Sequence, residues 1–558
     1  MRGSVLSLWG CAVALMAGGC EAGVVAQASA GSSIVRVGDR LWLSSPDDHA
    51  VVVLDAESLE EIERFAVPGR PEQLVATAGG VYVSATRDHR ITRVEPDGRL
   101  TRFDTPCGGT RGLAATWAGV VATCPYDGGV VWLGGGGEAR FEPRRGRSTA
   151  VAVVDGQPQI SGELALAGDH RDAGRLDQLA ADGGRWVGVY LRQDVAADRD
   201  RPPEHGGYGA VVDGGPRIEP WLTGDCRGRL ARFDGEERVF SGPSAVALHA
   251  KRGLVWVVFR DTGNVGVFAC QQDDRAYAPL LASFQVGDGA RGIALGADGG
   301  VAFVDVGFDH AVSRLELPAT VAYEVAPAKT VRRDDAGVTL SAQAQRGRRL
   351  FFDARDRHLT PSGVVTCGSC HPGGEDDGLT WFFHTQNVPR KLRRTLPLWA
   401  SSESPLHWDG QYTSAAELIL DTIRELMDGD AAGVDAAAIA AFMATVEPPV
   451  GKPGLDAGAV ARGAAIFDAA CGNCHPGGAK DGASHSVVRA SADPDGVLAS
   501  VVTPSLAGTR ARGPWLHDGR AATLMDLWTR HNPDDTHGVT SRLEPTALAD
   551  LVTYLETL

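Results

Sequence analysis

Beyond its first twenty residues, the 558-residue sequence contains no apolar run long enough to cross a bilayer. It also lacks a surplus of positive charge: 54 Lys and Arg stand against 70 Asp and Glu, a formal net charge of −16. These absences argue against a membrane-spanning protein, and against nucleic acid or an anionic lipid surface as the main partner. Cysteine is sparse. Of ten, Cys11 and Cys20 fall in the N-terminal apolar segment and four belong to two short motifs near the C-terminus. Cys107, Cys124, Cys226 and Cys270 remain. In an oxidising compartment they can form disulfides, Cys107 with Cys124 first by proximity, or they can stand as buried thiols.

The N-terminus places one Arg before an apolar stretch from Val5 to Met16, followed by small residues, which is the pattern of a signal peptide over residues 1–20. "AGGC", Ala17 to Cys20, has the form of a lipoprotein cleavage box, with Ala17 where Leu is more usual. Cys20 is therefore either lipidated or part of an ordinary cleaved signal. The mature protein is expected to be exported, in the periplasm or lipid-anchored to an envelope membrane, with no other membrane contact.

A chain of this length holds several domains. From Ser33 to Pro318 short β-branched runs alternate with Gly, Asp and Pro, as in "GGVYVSATRDHRITRVEPDGRLTRF". Related phrases recur at Pro71, Thr110, Pro243 and Ala290, with Leu74 to Leu113 spanning 39 residues and Val246 to Ile293 spanning 47. All-strand repeats of this period predict a β-propeller of six or seven blades over 33–318. An Asp- and Arg-rich insertion near Asp194–Arg201 blurs the blade count. No metal cluster or catalytic set is visible there, so a scaffold or docking surface is expected. Residues 319–341 read as an extended linker.

Two Cys-x-x-Cys-His pentads follow, Cys367–His371 and Cys471–His475, each continued by Pro-Gly-Gly. The pentad is the attachment signature of c-type haem: two thiols form thioethers and the His offers an axial nitrogen to iron. Redox-active thiol pairs and zinc sites are the alternatives for a single copy. The surrounding sequence is duplicated: "RGRRLFF" answers "RGAAIF", and "PLHWDGQ" answers "GPWLHDGR". Two mainly helical cytochrome c-type domains, 342–450 and 451–558, with two covalent haems are the expectation.

The propeller region resembles the YVTN or NHL-like propellers of bacterial exported proteins. The paired pentads and the two corners, across residues 342–558, resemble the bacterial di-haem cytochrome c peroxidases and their methylamine-utilisation relatives. That resemblance implies a peroxidatic first haem on His371, a second haem on His475 that stores or relays an electron, and Trp408 between them. Fourteen positions after His517, where the family usually carries Met, stands His531. A capping pattern at Thr523 and Asp526 starts a helix whose Leu524, Leu527, Trp528 and His531 share a face, making His531 the candidate second ligand, with Met525 the weaker one. The equivalent position in the first repeat is Thr422, which cannot ligate. The resemblance implies a loop ligand there, His384, with His407 as rival.

Peroxide cleavage also needs a proton donor, for which "TIRELMDGD" offers Glu425 or Asp428. The family's calcium site is doubtful, because Arg394 and Arg512 stand where neutral oxygen ligands belong. The leading expectation is reduction of hydrogen peroxide at the first haem with electrons relayed through the second, the partner being an electron-donor or acceptor protein. Oxidation of a partner docked on the propeller, and pure electron transfer without turnover, are the alternatives.

Overall fold

The computed structural model describes residues 30–144, 147–161, 172–194, 218–230, 239–273, 276–334, 337–383, 391–400, 404–486 and 500–558. The N-terminal segment with Cys11 and Cys20, residues 195–201 of the insertion, and His384 lie outside the described residues.

The first four strands, Ile34–Val37, Arg40–Ser45, Ala50–Asp55 and Glu61–Ala66, pair in chain order as an antiparallel meander. The same order recurs within 71–104, 113–143, 172–229 and 243–285, and a sixth sheet within 290–332 completes a six-bladed propeller. A two-stranded sheet, Val151–Val154 with Gln157–Ile160, takes a place in the ring between the third and fourth blades. The first strand of each sheet neighbours the first strand of the next, and Ala290–Leu295 meets Ile34–Val37 to close the circle. The sequence pattern follows from this packing. Middle strands such as Ala50–Asp55 are buried on both faces between blades, whereas the outer strand Glu61–Ala66 buries only Phe65.

The segment read as a linker supplies two further strands. Ala322–Val325 adds in parallel to Leu280–Gln285 of the fifth blade, and Lys329–Arg332 is the fourth strand of the sixth. As exposed outer strands they lack the apolar runs that mark the inner ones. At the other end, residues 30–33 cross the inner strands: Gly31 N–H donates to Leu113 O at 2.6 Å, and Ser32 exchanges backbone hydrogen bonds with Leu74. A Cβ at Gly31 would stand 2.8 Å from the Leu113 carbonyl oxygen, so the approach requires glycine. Two disulfides, Cys107–Cys124 and Cys226–Cys270, lie in the propeller.

The helical region repeats one arrangement twice. Helix α1 (Ala342–Phe351) crosses α4 (Ala436–Met443), with α2 (Cys367–Cys370) and α3 (Ala415–Glu425) between them. Helix α5 (Ala457–Ala470) crosses α7 (Pro545–Leu555), with the short α6 (Leu524–Thr529) before α7. Each crossing is made at a glycine. A Cβ at Gly347 would collide with the Ala438 carbonyl, and one at Gly463 with the Asp550 carbonyl. The first repeat shares its core with the propeller, since Leu191 and Ile218 pack in one cluster with Phe351, Val364, Trp381 and Ile439. Among the described residues no helix is long and apolar enough to cross a membrane.

Candidate functional site

The first pentad is anchored on the propeller. Thr366, ahead of α2, donates its hydroxyl to buried Asp261 at 2.7 Å, and Gln193 Nε2 donates to Ser369 O at 2.9 Å. His371 Nδ1 lies 3.1 Å from the Glu375 carbonyl oxygen. A carbonyl only accepts, so the proton sits on Nδ1 and Nε2 is left bare, the tautomer an axial ligand needs. Burial holds the imidazole pKa below its ordinary value, which keeps the ring neutral. His407 also depresses it, placing His407 in the electrostatic neighbourhood of His371.

Three acids that sequence reasoning passed over, Glu375, Asp376 and Asp377, each have a partner. Glu375 accepts from the Tyr126 hydroxyl at 2.5 Å and from Arg111, both of the propeller. Asp376 Oδ1 receives Arg147 at 3.1 Å and Arg394 at 3.0 Å. Asp377 accepts from Trp381 Nε1 and Leu379 N, both at 2.9 Å, and burial pushes its carboxyl up to about 6.

The second pentad follows α5. Burial, with His537 and Arg512 beside it, lowers His475 to about 4. The ring found against His475 is that of His537, 6.4 Å between centroids and tilted by 35°. Helix α6 does open on the Thr523–Asp526 capping box and does bury Leu524, Leu527 and Trp528. It ends at Thr529, however, so His531 lies in the turn beyond it and not on the helix that the spacing predicted. Met525 is packed at the edge of the surrounding apolar cluster. His537 escaped the sequence because it belongs to a loop folded by Asn532. That buried amide donates to the His537 and Gly538 carbonyls and to Thr540 Oγ1, and accepts from His537 N–H at 2.7 Å.

These residues fit haem. All four pentad cysteines are free thiols, whereas the other four described cysteines are disulfide-bonded. Burial raises every pentad thiol, Cys367 to about 12 and Cys471 to about 11. Zinc and disulfide exchange both require thiolate, which burial opposes; thioether formation leaves no charge on sulfur. His475 and His537 would be the residues to hold the second haem, since their rings lie 6.4 Å apart and each could offer an imidazole nitrogen to iron. Cys474, Asp481 and His485 lie together as a set of metal-ligating groups, but one of the three is the thiol that haem attachment uses.

A calcium ion does not fit between the repeats. Arg147, Arg394 and Arg512 gather around Asp376, with Glu375 and Asp377 close by, and guanidinium repels a cation. Burial and Arg394 lower Arg512 to about 10. Guanidinium groups so placed suit the propionates that haem carries.

Trp408 lies where the repeats meet, its Nε1 donating to Arg394 O at 2.9 Å. Glu425 is the last residue of α3, and Asp428 follows in an exposed turn at φ 60°. Tyr412, also missed, packs edge to face on His407 at 5.4 Å, and burial raises its phenol to about 12.

A family model for cytochrome c matches residues 460–558. The chain therefore joins a β-propeller to a C-terminal cytochrome c domain, which implies covalently bound haem c. Hydrazine synthase subunit gamma of Kuenenia stuttgartiensis is 47% identical over 57 residues, 10% of this chain and 16% of that protein. The chain thus matches well under two thirds of the length of that curated relative. Among solved structures, Kuenenia stuttgartiensis hydrazine synthase aligns with 54% of this chain and 100% of its own, at 13% identity and TM-score 0.41. A MauG-like protein associated with microbial copper homeostasis aligns over 40% of this chain and 92% of its own, at 19% identity and TM-score 0.31. A streptogramin B lyase aligns over 51% of this chain and 93% of its own, at 13% identity and TM-score 0.32. At such scores these likenesses carry no argument, and the fold rests on the strand order and helix crossings themselves.

Proposed function

We propose that the protein is an exported di-haem c-type oxidoreductase of the bacterial peroxidase type, reducing hydrogen peroxide at the haem of the first pentad with electrons relayed from the second. The observation that carries this reading is the asymmetry of the pentads. His475 is faced by His537, held on a prefolded loop, whereas His371 has in its neighbourhood the exposed corner residue His407. A ligand pair fixed by packing suits a relay; a face guarded by an exposed residue suits a site that opens to substrate. When bound, haem supplies a redox-active iron at each pentad.

The chain's own residues do the rest. Glu375 fixes the His371 tautomer through its carbonyl, and Trp408 stands between the repeats. Tyr412, Glu425 and Asp428 are the groups offered as proton donors. The acidic surface suits a basic electron-carrier protein as donor. The exported location, with Cys20 as a lipid site, belongs to the same proposal.

Pure electron transfer is the second reading, favoured by the charge of His407 being felt at His371: were His407 to supply a second imidazole, the first iron would be closed to substrate. The deciding experiment is the spin state of each haem, oxidised and half-reduced, followed by rapid mixing with peroxide. A high-spin first haem that consumes peroxide in the half-reduced protein supports the peroxidase. A low-spin, inert one overturns it in favour of electron transfer.

A further inference from the structure

Between the propeller and the first pentad lies a cavity of about 630 Å³, within the range of small-molecule sites. Ser32, Gln73, Thr149 and Ser244 of the ring line one side, and Gly368, Ser369 and Gly373 line the other. Phe308, Phe352 and Phe442 give it an apolar wall. Glu375 and Asp377 also border it, so the cavity adjoins the first haem site.

One part of the lining holds more donors than acceptors. Arg291 and Arg333 share a single carboxylate, Asp305, which receives Arg291 Nε at 2.8 Å and Arg333 Nη2 at 3.5 Å. Arg348 reaches Asp47 through Nη1 at 2.7 Å. Three guanidiniums thus meet two carboxylates; Glu72 and Arg70, also in the lining, add one charge of each sign. Asp48, the next acid, receives Arg64 and Ser45 on one oxygen, and its other oxygen is buried without a hydrogen-bond partner among the described residues, one acceptor against four orphaned nitrogens. Arg333 Nε and Nη1, Arg348 Nε and His310 Nε2 are buried and have no hydrogen-bond partner among the described residues. Arg333 and His310 are joined through their backbones, Arg333 N to His310 O at 2.6 Å, so these orphaned nitrogens belong to one neighbourhood.

Guanidinium can only donate, and a buried cation short of acceptors is costly. Water would supply single acceptors; a carboxylate supplies two on one rigid group, in a geometry that guanidinium binds well. We infer that this cavity is a binding site for a small organic carboxylate, its acid group held by Arg333, Arg348 and His310. The remainder of such a molecule would lie on the three phenylalanines. Bound there it would sit against the pentad backbone, and its negative charge would favour the oxidised first haem.

The test is calorimetric titration of the haem-loaded full chain with acetate, succinate, benzoate and inorganic phosphate, with sodium chloride at matched ionic strength as control. Saturable one-site binding of at least one carboxylate, with a downward shift of one haem potential, is expected. Arg333→Gln should weaken it at least tenfold. Because Arg333 also pairs with Asp305, His310→Gln serves as a second variant that leaves that pair intact, and it should weaken binding severalfold. No saturable carboxylate binding above the chloride control overturns the inference, as does binding untouched by both substitutions, or phosphate binding alone.

Discussion

The indole of Trp408 and the imidazole of His517 meet edge to face, with 6.3 Å between ring centres. The two residues hold equivalent places in the duplicated corners, each three positions after a proline and each followed by Asp-Gly. Arg394 completes the joint, since its carbonyl accepts from Trp408 Nε1 at 2.9 Å and its N–H donates to His517 O at 2.7 Å. Val502 N–H adds a bond to Trp408 O. The repeats are thus joined through the residues that the duplication placed at their corners.

Replacing Trp408 with Phe keeps an aromatic ring and removes the donor to Arg394, at a cost of about 1 kcal/mol. Covalent haem content should be unchanged. Electron equilibration between the haems, followed by rapid reduction, should slow at least tenfold if the indole carries the electron. Wild-type rates in Trp408→Phe would show that the route runs elsewhere.

His537, and not His531, should determine the potential of the second haem. Thioether ligation favours ferrous iron relative to a second imidazole, so His537→Met should raise the midpoint potential by on the order of 100 mV. His531→Met should leave it where it is. Asn532→Ala, which strips three acceptors and one donor of their buried partner, should cost about 2–3 kcal/mol and turn the low-spin spectrum of that haem heterogeneous. A shift seen with His531→Met alone would reverse the assignment.

Mass spectrometry should find two haem increments on a chain matured with the haem-attachment machinery. Cys471→Ala with Cys474→Ala should lose one, and Cys367→Ala with Cys370→Ala the other. A single increment in the unaltered chain would leave the first pentad a pair of buried thiols.

What was legible in the sequence were features set by short-range pattern. The phrases at Pro71, Thr110, Pro243 and Ala290 are the first hairpins of blades, and Leu74, Leu113, Val246 and Ile293 lie on their inner strands. Cys107 and Cys124 do pair, and Thr523 does cap α6. What was hidden depends on distant partners. Arg147 reads as part of a basic run, "RRGR", yet it bonds to Asp376 and to the Ala511 carbonyl across more than two hundred residues. His537 follows an unremarkable Asp-Asp-Thr, and bonds made by Asn532, with Asp535 accepting from Thr540 and Ser541, fold that loop beside His475. Outer strands such as Lys329–Arg332 bury one face or less, so they carry no apolar alternation to be recognised.

Asp377 should make the protein less stable as pH rises through mild acidity. Burial raises its carboxyl in the folded chain from 3.8 to about 6, so between these values the folded state keeps a proton that the unfolded state has released. Stability rises with pH only where the unfolded state holds more protons. Here the folded state holds more, so stability falls from about pH 4 to pH 6 and is level above, a loss on the order of 3 kcal/mol. Asp377→Asn cannot ionise and should lack this slope, while losing some stability at every pH because Trp381 and Leu379 donate to different carboxylate oxygens and the amide nitrogen that replaces one of them cannot accept. Urea denaturation followed by haem absorbance at pH 4, 5, 6 and 7 measures both effects. Parallel curves for the two proteins would mean that Asp377 is solvated well enough to ionise normally.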